Sequence, residues 1–197
     1  MSASERTQTL ASRLGATTAA GDAVALVAAS LFLAVLSQVE IRLPWTPVPI
    51  TLQTFAVFVI GAALGSRRAA AAVGAYLAQG AAGLPFFAGG AAGAGHLVGP
   101  TGGYLVGFVA AAFVIGWLAE RGWDRNLPRT FAAVSLGAVL IFTCGLAQLS
   151  FFVPKGQLLS LGLTPFLPGA LLKVALASVL LPTLWSFLQR HGARSPR

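Results

Sequence analysis

From Pro165 to Pro182 the chain reads Pro-Phe-Leu-Pro168-Gly169-Ala170-Leu-Leu-Lys173-Val-Ala-Leu-Ala-Ser178-Val-Leu-Leu-Pro, an apolar run with one charge inside it. Such a run is long enough to cross most of a bilayer as a helix. Proline in its first turn gives up no hydrogen bond. A lysine within a membrane helix costs roughly 2.5–3.5 kcal/mol on insertion scales. Lys173 therefore either snorkels to the nearer interface and anchors the helix, or lines a polar cavity near one membrane face and receives an anionic group. The second reading is the working expectation.

Composition places the whole chain in lipid. Apolar residues make up 56% of it and charged residues only 9%, against about a quarter charged in a soluble domain. The net charge of +8 invites a nucleic-acid reading. The basic residues, however, fall in short runs between apolar segments and form no aromatic-interleaved surface, so no nucleic-acid partner is expected. A single Cys144 excludes an intrachain disulfide, and His96 and His191 lack the spacing of metal ligands.

Six spans follow from the apolar pattern, at about Asp22–Val39, Leu52–Leu64, Ala69–Gly80, Tyr104–Ala119, Thr130–Val153 and Pro168–Gln189. The predicted architecture is an all-α integral membrane bundle in one domain. Residues 1–21 form a cytoplasmic tail, 22–189 the bundle and 190–197 a basic cytoplasmic tail. The connections are uneven. Pro44, Pro47 and Pro49 make the first a stiff segment that re-enters or caps the membrane face. Ser66-Arg67-Arg68 reads as a tight charged turn. The stretch from Gly80 to Gly103 is dense in glycine, which permits close approach of backbone to a ligand and offers N–H donors.

Positive charge sets the orientation. With both termini inside, ten of the thirteen basic residues face the cytoplasm, Arg42 and Lys155 face outward, and Lys173 lies within a span. The proline-rich segment with Thr51 and Gln53, the glycine-rich segment with Phe87, Gly102, Gly103 and Tyr104, and the start of the last helix then share the outer face. Tyr76 and Gln79 are the polar members of the third span. A cation, amides, aromatic walls and backbone donors suit a small, partly apolar molecule bearing a carboxylate. His96 either bonds that carboxylate or faces water. Catalysis is not expected: no Gly-x-Ser-x-Gly sequence, paired-carboxylate site or phosphate-binding loop is present. In the first span Ala25 and Ala29, four apart, either pack within the bundle or admit another helix.

The strings Pro47-Val-Pro-Ile-Thr51-Leu-Gln53-Thr-Phe, Gly83-Leu-Pro85-Phe-Phe-Ala-Gly-Gly90 after Tyr76, and Gly99-Pro-Thr-Gly-Gly-Tyr104-Leu-Val-Gly-Phe108 resemble BioY, the biotin-specific binding component (S component) of energy-coupling factor (ECF) transporters. The resemblance covers roughly Ile41–Gly116 and Pro168–Ala177. It implies six helices in the bacterial cell (inner) membrane and biotin bound at the outer face under the first and third loops. It also implies partnership with a transmembrane coupling protein, touched at Ala25 and Ala29, and two cytoplasmic ATPases, with no cofactor besides the biotin ligand. The chain departs from the pattern at Ala170, where the resemblance implies an acid three residues before Lys173, on the same helical face. Weakened biotin binding follows from that loss. The same architecture serving another vitamin-like carboxylate, or a scaffold whose binding role has lapsed, are the alternatives.

Overall fold

The computed structural model describes residues 9–10 and 18–192. Most of the expected cytoplasmic tail at 1–21, and the last five residues of the expected basic tail, lie outside the described residues. Among the described residues, six helices of twelve residues or more carry the fold. They are α1 (Ala19–Ser37), α2 (Gln53–Leu64), α3 (Ser66–Ala81), α4 (Gly102–Ala119), α5 (Leu127–Leu149) and α6 (Leu167–Gly192). Two shorter helices, Gly95–Val98 and Leu158–Gly162, lie in the connections before α4 and α6. Glu40–Ile41 and Ile50–Thr51 form a two-residue antiparallel ladder, β1 and β2, with Glu40 opposite Thr51.

Each start has a local cause. Thr18 is extended and its side chain accepts the Gly21 N–H at 3.1 Å, capping α1, while Asp22 sits in the first turn. Asn126 does the same for α5 by accepting from Arg129 N at 3.1 Å, with Pro128 in the first turn where it loses no bond. Ser66, Arg67 and Arg68, expected as a turn, are the first turn of α3; the reversal is made by Gly65 alone. The expected fifth span shifts toward the N-terminus for the same kind of reason. Asn126 starts α5 before Thr130, and the helix stops at Leu149, short of Pro154.

α4 is the axis. It packs on α2, α3 and α5 and is buried on most sides, as expected of a helix apolar all round. α5 runs antiparallel to it along small residues. A Cβ at Gly107 would lie 2.9 Å from Ile141 Cα, and Gly137 faces Ile115 and Ala111, so the two backbones approach closely. α1 lies against α3 and α2, and α6 against α5 and α2.

Among the described residues, four segments are long and apolar enough to cross a membrane: α1, α4, α5 and the stretch Lys155–Leu188 that contains most of α6. α2 is apolar but only 12 residues, and α3 is 16 residues with two arginines at its start. Both fall short of the ~20 residues a perpendicular crossing needs.

The connections sort into two ends. At one end Ser66 N and Oγ donate to Glu120 Oε1 at 2.7 and 2.9 Å, and Arg68 pairs with Asp22 at 2.7 Å. Also there, Trp185 Nε1–H donates to Asp124 Oδ2. At the other end lie the three long connections, 38–52, 82–101 and 150–166, the first tied to the second by Gln38 and to the third by Thr46, with Gln148 of α5 holding the second. Among the described residues, Arg67, Arg68, Arg121, Arg125 and Arg129 belong to the first end, and Arg42 and Lys155 to the second.

Candidate functional site

A cavity of about 340 Å³ opens beneath the three long connections. That is within the range of small-molecule sites. Its floor comes from α2, α4 and α5 through Phe58, Leu105, Phe108 and Ile141. Its walls and roof come from the proline-rich segment, from Phe87 to His96, and from the start of α6.

Lys173 reaches this cavity one turn into α6. Its Nζ donates to Thr51 O at 2.5 Å and to Thr54 Oγ1 at 3.1 Å. An ammonium has three donors, so one remains. No carboxylate among the described residues pairs with it; the ion pairs found there are Arg42–Glu40 and Arg68–Asp22. A half-buried cation held by neutral oxygens and lacking a counter-ion is a receptor for an anion or a carbonyl.

Beside it, Thr51 Oγ1 donates to Gln53 Oε1 at 2.9 Å, and Gln53 Nε2 donates to Tyr76 OH at 2.7 Å. Tyr76 OH in turn donates to Phe86 O at 3.0 Å, a carbonyl that also accepts from Ser37 Oγ. This chain fixes the start of α2 to the glycine-rich connection through α3. It also seats Phe87, whose ring meets Tyr76 edge-on at 5.8 Å and is 3% exposed. His96 closes the far side, its ring 5.8 Å from that of Phe87.

The roof is pinned at several points. Gln38 Nε2 donates to Phe87 O at 3.3 Å, and Gln148 Nε2 donates to Leu97 O and Gly99 O at 3.0 and 2.8 Å. Thr46 Oγ1 donates to Leu161 O at 2.6 Å, joining the proline-rich segment to the connection before α6. Tyr104 OH donates to Gly162 O at 2.7 Å, so its hydroxyl is spent on that connection while its ring lines the cavity.

The model of the BioY family matches residues 6–190. The chain belongs to the BioY family. Among its relatives, the biotin transporter BioY of Thermotoga maritima is 40% identical over 157 residues, which is 79% of this chain and 92% of that protein. The biotin transporter BioY of Rhodobacter capsulatus is 40% identical over 152 residues, 70% of this chain and 78% of its own. The fold is similar to the crystal structure of the S-component for biotin from an ECF-type ABC transporter. The TM-score is 0.74 at 27% identity, covering 85% of this chain and 92% of that one.

In this BioY chain Lys173, Gln53, Thr51, Phe87 and Tyr104 all line the cavity, as does Ala170. Tyr76 stands behind them, fully buried, as the support of Gln53. Three residues expected at the site are elsewhere. Gln79 accepts from Ser30 Oγ at 2.5 Å between α1 and α3, although it lies three residues from Tyr76 on nearly the same side of the helix. Gly102 and Gly103 are packing positions, because a Cβ at either would strike the carbonyl of Leu97 or of Cys144. Gly102 N is moreover bonded to Gly99 O. Ala25 and Ala29 are half-buried and pack on the chain's own core, leaving Val24, Val27 and Leu31 as the exposed side of α1.

Sequence reasoning passed over Glu40, Arg42 and Thr54, all of which line the cavity. A signal existed for the first two: residues two apart on extended backbone point to one face, and Glu40 and Arg42 alternate with the β-branched Val39 and Ile41.

Proposed function

We propose that this chain binds biotin in the cavity under the three connections and serves as the substrate-binding component of an ECF-type importer. The observation that carries the reading is Lys173, a cation with no counter-ion among the described residues, inside a small, mostly apolar, roofed cavity. Biotin offers the ligand features that such a site wants, an apolar bicycle with a urea carbonyl and a carboxylate. The relatives named as biotin transporters and the fold of a biotin S-component support the same assignment.

All six long helices then cross the bacterial inner membrane, the short α2 and α3 doing so where the bilayer thins around the bundle. The arginine-rich end faces the cytoplasm, because positive residues are retained there, and the roofed end faces outward. Energy comes from partners, a transmembrane coupling protein and two ATPases, since none of the chain's motifs handles nucleotide. The exposed edge of α1, flanked by Ala25 and Ala29, is a place for the coupling protein to pack.

Equilibrium binding of labelled biotin to the purified chain in lipid nanodiscs tests the reading. One biotin per chain is expected. Lys173→Met should weaken binding by about tenfold or more, the value of a charge-assisted hydrogen bond. Absence of saturable binding, or a Lys173→Met variant that binds as well as the parent, refutes it.

A further inference from the structure

Lys173 and Arg42 both line the cavity, and the β1–β2 ladder sets them at different depths. Lys173 Nζ donates to Thr51 O, where the ladder meets the start of α2. From there β1 runs away from α2: Glu40 is opposite Thr51, Ile41 is opposite Ile50, and Arg42 follows. Two residues of extended backbone span about 7 Å. Exposure rises in the same direction, from Thr51 at 9% to Ile41 at 61%, and the Arg42 side chain is 70% exposed. Lys173 is therefore the inner cation and Arg42 the one at the rim.

Arg42 is aimed as well as accessible. Its Nε donates to Glu40 Oε1 at 2.6 Å, which holds the guanidinium and leaves Nη1 and Nη2 with no hydrogen-bond partner among the described residues. Nη2 lies against Gly89, where an added Cβ would come within 2.5 Å of it. Ala88 and Ala91, on either side of that contact, line the cavity, so the free edge of the guanidinium stands where the roof meets the opening. The two cations also differ in what they can grip. Lys173 has one donor left, enough for a single carbonyl oxygen, whereas the free guanidinium edge can take both oxygens of a carboxylate. A carboxylate moreover gives up less hydration at an open rim than against the apolar floor of Phe58, Phe108 and Ile141.

We propose that Arg42 receives the carboxylate of the ligand at the cavity rim and makes the site selective for the free acid. The assignment rests on the biotin reading above, and it leaves Lys173 to the urea carbonyl and the apolar floor to the bicycle. Glu40 acts through Arg42, as the residue that positions it.

Calorimetric titrations with biotin and with biotinamide test this, because the amide keeps the ring and the side arm but carries no charge. They are run on the full chain and on its Arg42→Gln and Lys173→Met variants in nanodiscs. At low ionic strength the parent should prefer biotin by about fivefold or more, the value of a bidentate pair at a partly screened site. Arg42→Gln should abolish that preference by weakening biotin, while its biotinamide affinity stays within about twofold of the parent and shows that the cavity is intact. Lys173→Met should weaken both ligands alike and keep the preference. Three results overturn the inference while leaving biotin binding in place. The first is a parent that binds the acid and the amide equally. The second is an Arg42→Gln variant that keeps the preference or weakens both ligands to the same degree, which would give Arg42 a purely structural part. The third is a preference lost in Lys173→Met instead. A parent chain that does not bind biotin overturns both readings together.

Discussion

Lys173 shows how a single buried charge organises its neighbours. The Thr51 carbonyl and Thr54 hydroxyl satisfy two donors, which holds the ammonium in place without neutralising it. Position 170, one turn earlier on α6, also lines the cavity but carries only a methyl group. Installing an acid there, Ala170→Asp, places a charged acceptor near Lys173. Biotin affinity should rise by roughly tenfold or more, as a charge-assisted bond is worth about 1.5–3 kcal/mol; titration of the variant checks it, and an unchanged affinity counts against position 170 meeting the bound ligand. The Gln53–Tyr76–Phe86 chain makes a separate prediction. Tyr76→Phe takes from the buried Gln53 amide its hydroxyl partner and leaves Phe86 O with Ser37 alone. The thermal midpoint should fall by the equivalent of about 1–3 kcal/mol, and the looser Phe87 wall should also raise the biotin Kd.

At the scale of elements, the close antiparallel pair α4–α5 sets the cavity floor. Gly107→Ala puts a methyl group 2.9 Å from Ile141 Cα, a backbone atom that cannot swing aside. Overpacking of this kind costs about 1–3 kcal/mol, and the variant should melt earlier in detergent while Gly156→Ala, where a Cβ meets open space, should not. The turn from α4 to α5 holds a second test. Asp124 is 3% exposed, and burial pushes its carboxyl up to about 6, against the lowering influence of the Trp185 N–H and Arg125. The ordinary value is 3.8, so the folded chain holds this proton more tightly than the unfolded one. Stability from this group is full below about pH 4 and declines as pH rises through 6. Asp124→Asn should flatten that part of a melting profile measured from pH 4 to 7, whereas a profile unchanged in shape would remove Asp124 as its source.

Across the whole molecule, the two ends differ in purpose. One is short-turned and arginine-bearing, locked by Glu120 on the first turn of α3 and by Asp22 on Arg68. The other carries the long roofed connections. The proposed orientation predicts labelling from opposite sides. In a Cys144→Ser background, a cysteine at Gly156 should react with an impermeant thiol reagent added outside intact cells. A cysteine at Gly122 should react only after permeabilisation, and the reverse pattern would invert the topology.

The long apolar helices, their order and the end to which each connection belongs are legible in the sequence, because hydropathy and arginine placement depend on lipid and charge and need no knowledge of neighbours. Lys173 was legible for the same reason: one charge in an apolar run demands an explanation. What the sequence could not decide was which polar groups meet. Gln79 and Tyr76 lie three apart on one helix, yet only Tyr76 reaches Gln53, because the rotation of α3 is set by its packing on α1 and α4. Gly102 and Gly103 look like ligand-contacting glycines until α5 is laid against them. Glu40 is an ordinary charge in a surface segment until the β1–β2 ladder sets it at the edge of the cavity. One-dimensional pattern determines which segments are apolar enough to suit lipid; the mutual rotation of helices and the folding back of loops, both long-range packing effects, decide which side chains share a cavity.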